Sequence, residues 1–135
     1  MTSTESNPMI LNEFHSMISS TAMWLNVLDK DARVIMWNKG AELISGYCKD
    51  EIIGRKDVWE RLYPDDKYRN NIFEKAIKII NQGKEVADFE TTIRCKDGSE
   101  RILSWNSNIL KDEREEVIGS LAIARDVTEI INKRI

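Results

Sequence analysis

The sequence is short of the residues that most often carry chemistry. It holds one histidine, His15, and two cysteines, Cys48 and Cys95, in 135 residues. The cysteines stand far apart with no CxxC neighbour, so neither a zinc-ligand spacing nor a disulfide framework is present. A single histidine leaves few ways to build a His-based nucleophile or general base, and the composition argues against an enzyme. No apolar run approaches the roughly 20 residues that a membrane span requires. No charged start followed by an apolar stretch marks a secretory signal. A cytoplasmic chain with no membrane insertion by this segment is expected. Twenty Lys and Arg against 23 Asp and Glu leave a formal charge of −3. Without a basic excess to hold a polyanion, nucleic acid is not an expected partner.

What is present is an ordinary globular balance, 41% hydrophobic and 32% charged, over a length that suits one domain. Residues 2–8 are small and polar and carry no periodicity. Leu11, Phe14 and Ile18 then fall at helical spacings, predicting an amphipathic helix within residues 1–20. Met23–Leu28 and Val34–Trp37 read as two strands joined through Asp29-Lys-Asp31. Asn38 stands where an N-cap would, before a short helix from Lys39 to Ile44, and a second short turn of helix covers Lys49 to Ile53. The long helix begins after Pro64, with Asp65 or Asp66 as its cap and Gly83 as its stop. Tyr68, Ile72, Ala76 and Ile79 form its apolar stripe, widened by Phe73, Ile77 and Ile80.

Three strands complete the pattern. Ala87, Phe89, Ile93 and Cys95 alternate with Asp88, Glu90, Thr92 and Arg94, the period of a half-buried strand. Asp97-Gly98 predicts a type I′ hairpin turn, whose two central residues both need φ > 0. Arg101–Leu110 returns with Leu103, Trp105 and Ile109 on one face. After a charged turn, Val117–Val127 is small and apolar on both faces, as a central strand would be. The expected fold is α+β: a five-stranded antiparallel sheet with short helices and one long helix packed on a face.

Within that order stand Trp37-Asn-Lys-Gly-Ala41, Ser45-Gly-Tyr47, Glu51-Ile-Ile-Gly-Arg55, Leu62-Tyr-Pro-Asp-Asp66, Arg94-Cys-Lys-Asp-Gly-Ser99 and Arg125-Asp-Val-Thr-Glu129. Together they resemble the PAS sensor family. The likeness covers 21–129. It implies a PAS-like fold and a sensory or regulatory module of a signal-transduction protein, such as a prokaryotic sensor histidine kinase. Such modules act upstream of an output domain, and homodimers are common. No ATP-binding glycine-rich motif fits the leftover residues, so the chain is read as a piece of a longer receptor. Residues 130–135 then start a C-terminal linker helix. The isolated module is expected to be non-catalytic. The alternative is a ligand-free interaction and dimerisation module. In both, Leu11, Phe14 and Ile18 are the expected dimer contact.

The resemblance also bears on cofactors. The flavin-binding photosensory branch carries a reactive cysteine in Gly-Arg-Asn-Cys; here Gly54-Arg-Lys-Asp57 puts Asp57 in its place, so no cysteinyl adduct is expected. Haem-binding members draw a His from the long helix, and residues 65–83 contain none. Chromophore-linking members place a Cys near the start of that helix, and none lies between Arg55 and Gly83. No cofactor is predicted, and noncovalent flavin or a small organic ligand remains compatible. Candidate cavity walls are Trp59, Ile72, Phe73, Phe89, Ile93 and Trp105, with Asn106 or Asn108 as polar anchors. Against them stands an interior filled by its own four tryptophans. Asp126 and Thr128, at the exit of the last strand, are the expected signal-transmission residues, with Thr128 as cap of the linker helix. The pairs Asp65-Asp66, Asp112-Glu113 and Glu115-Glu116 read as solvated turns and caps.

Overall fold

The computed structural model describes residues 23–83 and 85–133. The expected N-terminal helix, its contacts Leu11, Phe14 and Ile18, His15 and the last two residues lie outside that range. In chain order the elements are β1 (Trp24–Asp29), β2 (Val34–Trp37), α1 (Lys39–Ser45), α2 (Lys49–Ile52), α3 (Val58–Leu62), α4 (Asp66–Gln82), β3 (Val86–Arg94), β4 (Glu100–Lys111), β5 (Val117–Asp126) and α5 (Thr128–Lys133). The strands form one sheet in the order β2-β1-β5-β4-β3, with every neighbouring pair antiparallel. This is the expected α+β class. β5 occupies the centre, which explains why its sequence is small and apolar on both faces.

Local chemistry accounts for the main joints. The Asn38 side chain accepts from the Ala41 amide at 2.9 Å, capping α1. The same oxygen accepts from Leu25 N–H at 2.8 Å, and the amide nitrogen donates to Met23 C=O at 2.8 Å. One buried side chain therefore starts a helix and ties it to β1. The Asp65 carboxylate caps α4 through Tyr68 N–H at 2.8 Å, and the Gly83 N–H closes the helix on Ile79 C=O at 3.0 Å.

Three local expectations are corrected. The β3–β4 hairpin does not use a type I′ turn. Gly98 N–H reaches Cys95 C=O and Cys95 N–H reaches Ser99 C=O, with Gly98 alone at positive φ (90°). That is a three-residue loop ending in a left-handed residue. The β1–β2 and β4–β5 hairpins repeat it, with Ala32 and Glu115 in the left-handed position. Second, the alternation of β3 breaks at Asp88 (φ 55°), where the pairing slips between Val86 and Phe89. This bulge turns Ala87 outward and brings both Val86 and Phe89 onto the inner face. Third, α3 has no counterpart in the sequence reading. Its five residues are held by tertiary packing, with Val58 and Leu62 buried.

Candidate functional site

Between the inner face of the sheet and α4 lies a cavity of about 80 Å³. Its walls are largely apolar, with six aromatic residues among them, as suits a ligand pocket. Trp24 forms the centre, in edge contact with Trp37 (centroids 4.7 Å apart) and Trp105 (5.4 Å). Trp59 stacks on Tyr63 at 6.1 Å and meets Phe73 edge-on at 5.8 Å. The rim carries Lys75, whose ammonium sits 3.8 Å from the centroid of the Phe89 ring, a cation–π contact that ties α4 to β3.

Of the residues expected on the wall, Trp59, Ile72, Phe89 and Trp105 come together there. Phe73, Ile93 and Asn106 do not. Phe73 points partly to solvent behind Trp59, and Ile93 is wholly enclosed in the packed core. Asn106 lies on the opposite face of β4, opposite the β3 bulge, where its side chain accepts from Asp88 N–H at 3.4 Å. The pleat decides this: Trp105 and Ser107 face inward, so Asn106 and Asn108 face out.

The polar groups that do reach the cavity are Asn26, Thr91, Ser107 and Ser120. Thr91 is engaged: its hydroxyl oxygen accepts from Trp105 Nε1 at 2.7 Å and shares a hydrogen bond with the Tyr63 hydroxyl at 3.0 Å. Burial raises the Tyr63 phenol far above its ordinary range, so it stays neutral. Asn26 and Ser120 are 6% and 4% exposed. The signal for these residues was a small or polar side chain on the inward phase of an otherwise apolar strand, as in Trp24-x-Asn26-x-Leu28 and Trp105-x-Ser107-x-Ile109.

β5 connects the cavity to the C-terminal helix. Ser120 and Ala122 line the cavity, and the same strand ends at Asp126. There the Asp126 carboxylate accepts from Thr128 N–H at 3.0 Å and from the Thr128 hydroxyl, and pairs with Arg101 at 3.5 Å. Thr128 is accordingly not the cap itself. It is the first residue of α5, and its hydroxyl oxygen accepts from Ile102 N–H at 2.8 Å. Val127 N–H donates to Ile102 C=O at 2.8 Å, fastening the junction to β4.

Neither cysteine lines the cavity. Cys95 is buried, its thiol donating to Ile44 C=O at 3.3 Å, and desolvation raises its pKa. Cys48 is exposed ahead of α2. Asp57 sits outside the cavity lining, bonded to Arg61 Nε at 2.9 Å. About 80 Å³ is roughly half the volume of an engineered apolar cavity that takes up benzene. Among the described residues no helix is long and apolar enough to cross a membrane.

Comparison with known proteins agrees with this architecture. The family model described as the PAS fold matches residues 18–130. A phytochrome of Picea abies is 27% identical over 123 residues, 88% of this chain and 10% of the phytochrome. The chain thus spans about a tenth of that relative's length. The PAS domain of a protein from Colwellia psychrerythraea superposes with a TM-score of 0.75 at 28% identity, covering 89% of this chain and 98% of that one. An RNA-binding Light-Oxygen-Voltage receptor superposes with a TM-score of 0.77 at 18% identity, over 94% of this chain and 36% of the receptor.

Proposed function

The chain belongs to the PAS family, and from that premise we propose that it is a sensory module that passes a stimulus from its cavity to an output domain. The observation that carries this reading is the continuity of β5. One strand lines the cavity with Ser120 and Ala122 and ends in the Asp126–Thr128 junction that begins α5. A molecule entering the cavity bears on β5, and β5 sets where α5 starts. The junction is held by exchangeable partners: Arg101 and Thr128 on Asp126, and Ile102 on Thr128. It can therefore settle in two arrangements whose populations an occupant shifts.

The module acts in this reading as part of a longer signalling protein, with a histidine kinase as the output class that the sequence resemblance favours. It works as a homodimer whose contact is the apolar stripe Leu11, Phe14 and Ile18. Sedimentation of the chain with and without residues 1–20 tests the dimer: the full chain self-associates and the shortened one does not. For the transmission role, the test is Asp126→Ala in the protein with its output domain. Stimulus-dependent output is lost while the domain still folds; output that responds as before overturns the role.

A further inference from the structure

The four indoles of the chain have all spent their N–H groups within the protein. Trp24 donates to the Asn26 side-chain oxygen at 2.7 Å, Trp37 to Tyr47 C=O at 3.0 Å, Trp59 to Ala32 C=O at 3.0 Å and Trp105 to Thr91 at 2.7 Å. The aromatic walls thus offer π faces and edges and no indole donor.

The floor differs. An indole N–H can only donate, so it is the oxygen of Asn26 that faces Trp24, and the amide nitrogen with its two hydrogens points elsewhere. That nitrogen, the Ser107 hydroxyl and the Ser120 hydroxyl have no hydrogen-bond partner among the described residues. None of them is sealed from free space, and all three residues line the cavity. The register brings them close: Asn26 and Ser107 both pair with Ala122, from opposite sides, and Ser120 is the next inward position along β5. Two donor hydrogens and two hydroxyls are gathered around one methyl group. Facing free space without a protein partner, these groups are open to an occupant that answers them.

Charge narrows the class. The lining contains one ionisable cation, Lys75, and it sits at the rim over Phe89. A carboxylate or ammonium on the floor would be buried without a counter-ion. Size narrows it further. About 80 Å³ exceeds the ~30 Å³ share of one water and falls below the ~150 Å³ of a benzene-binding cavity. One ring is the upper limit, with its edge in the mouth beneath Lys75.

Building on the sensory reading of this cavity, we infer that its ligand is a small uncharged planar molecule with a carbonyl acceptor beside an N–H donor, a lactam-type heterocycle. The carbonyl accepts from Asn26, the N–H donates to a serine hydroxyl, and the ring lies among Trp24, Trp37 and Trp105.

The test is a titration of the chain with 2-pyridone, toluene and benzoate in turn, read at the four indole ¹H–¹⁵N signals. 2-Pyridone moves the Trp24 and Trp105 signals saturably. Toluene, with the same number of heavy atoms and no polar edge, binds about tenfold more weakly, the worth of one or two hydrogen bonds. Benzoate does not bind. Asn26→Leu weakens 2-pyridone about tenfold and leaves toluene unweakened. Ser120→Ala, which keeps the Trp24–Asn26 contact, weakens it several-fold. Toluene binding as tightly as 2-pyridone, benzoate binding, or no probe moving any indole signal would each overturn the ligand class. None of these touches the transmission role, which the Asp126→Ala protein tests separately.

Discussion

Where the Cys95–Ser99 loop meets α1, the inner face of the sheet carries Ile93, Leu103 and Ala124, each with no exposure at all. Under α4, β1, β4 and β5 present Asn26, Ser107, Ser120 and Ala122, and a cavity opens. The backbone is continuous between the two ends; only the size of the inward side chains changes. One end closes the core and fixes the fold. The other gives up packing and keeps space and unpaired donors. That division teaches that the cavity is written in side-chain volume, and that tight packing and open space occupy different ends of one sheet.

The comparison can be broken by substitutions of opposite expected sign. Leu103→Ala at the filled end removes a fully enclosed side chain and should cost about 2–5 kcal/mol in urea unfolding. A cost well under that range would mean that this end is not tightly packed. Asn38→Ala deletes the α1 cap and strands the Leu25 N–H, an expected loss of about 2–3 kcal/mol. Ser120→Val at the hollow end should instead raise stability by about 1 kcal/mol, because it fills space and removes an unpaired hydroxyl. Destabilisation by this change would show that the floor is already satisfied.

The smallest effect is on pH dependence. The Tyr63 phenol has a raised pKa in the folded chain, so its contribution is complete below the unfolded value of about 10 and is lost as pH rises beyond it. Stability should decline above about pH 10, and Tyr63→Phe should flatten that decline. An unchanged alkaline slope in the variant would remove Tyr63 as its source. On the acid side, Glu51 and Asp97 have lowered pKa values, the first mainly through Lys96 and the second through Ser99. Their stabilisation is present above the ordinary carboxylate range and fades below about pH 4, gently because solvent reaches both groups.

The architecture was legible wherever a period ran long enough. α4 and β4 show their apolar faces over many residues, and Asn38, Asp65 and Gly83 mark helix ends through their own chemistry. α3 was not legible. Five residues show no period, and what holds them lies elsewhere: Val58 and Leu62 in the core and Trp59 Nε1 on Ala32 C=O. The β3 bulge was hidden for another reason. A non-glycine residue, Asp88, takes the left-handed conformation there, and the resulting slip exchanged Ala87 for Val86 on the inner face. The cavity floor was the hardest part to foresee. Asn26, Ser107 and Ser120 come from three strands far apart in sequence, and only the register around Ala122 makes them neighbours. The tryptophans were expected to fill the interior or wall a cavity, and they stand as walls because each indole is tied at its N–H.

The account depends on one mechanical link, from the cavity along β5 to α5. Amide hydrogen exchange at residues 127–133 measures that link directly, with Ser120→Val as a permanent occupant of the cavity. The account predicts that Ser120→Val changes exchange across Thr128–Lys133 several-fold, and that the change disappears when Asp126→Ala is added. Exchange in α5 that stays the same while the cavity is filled would contradict it.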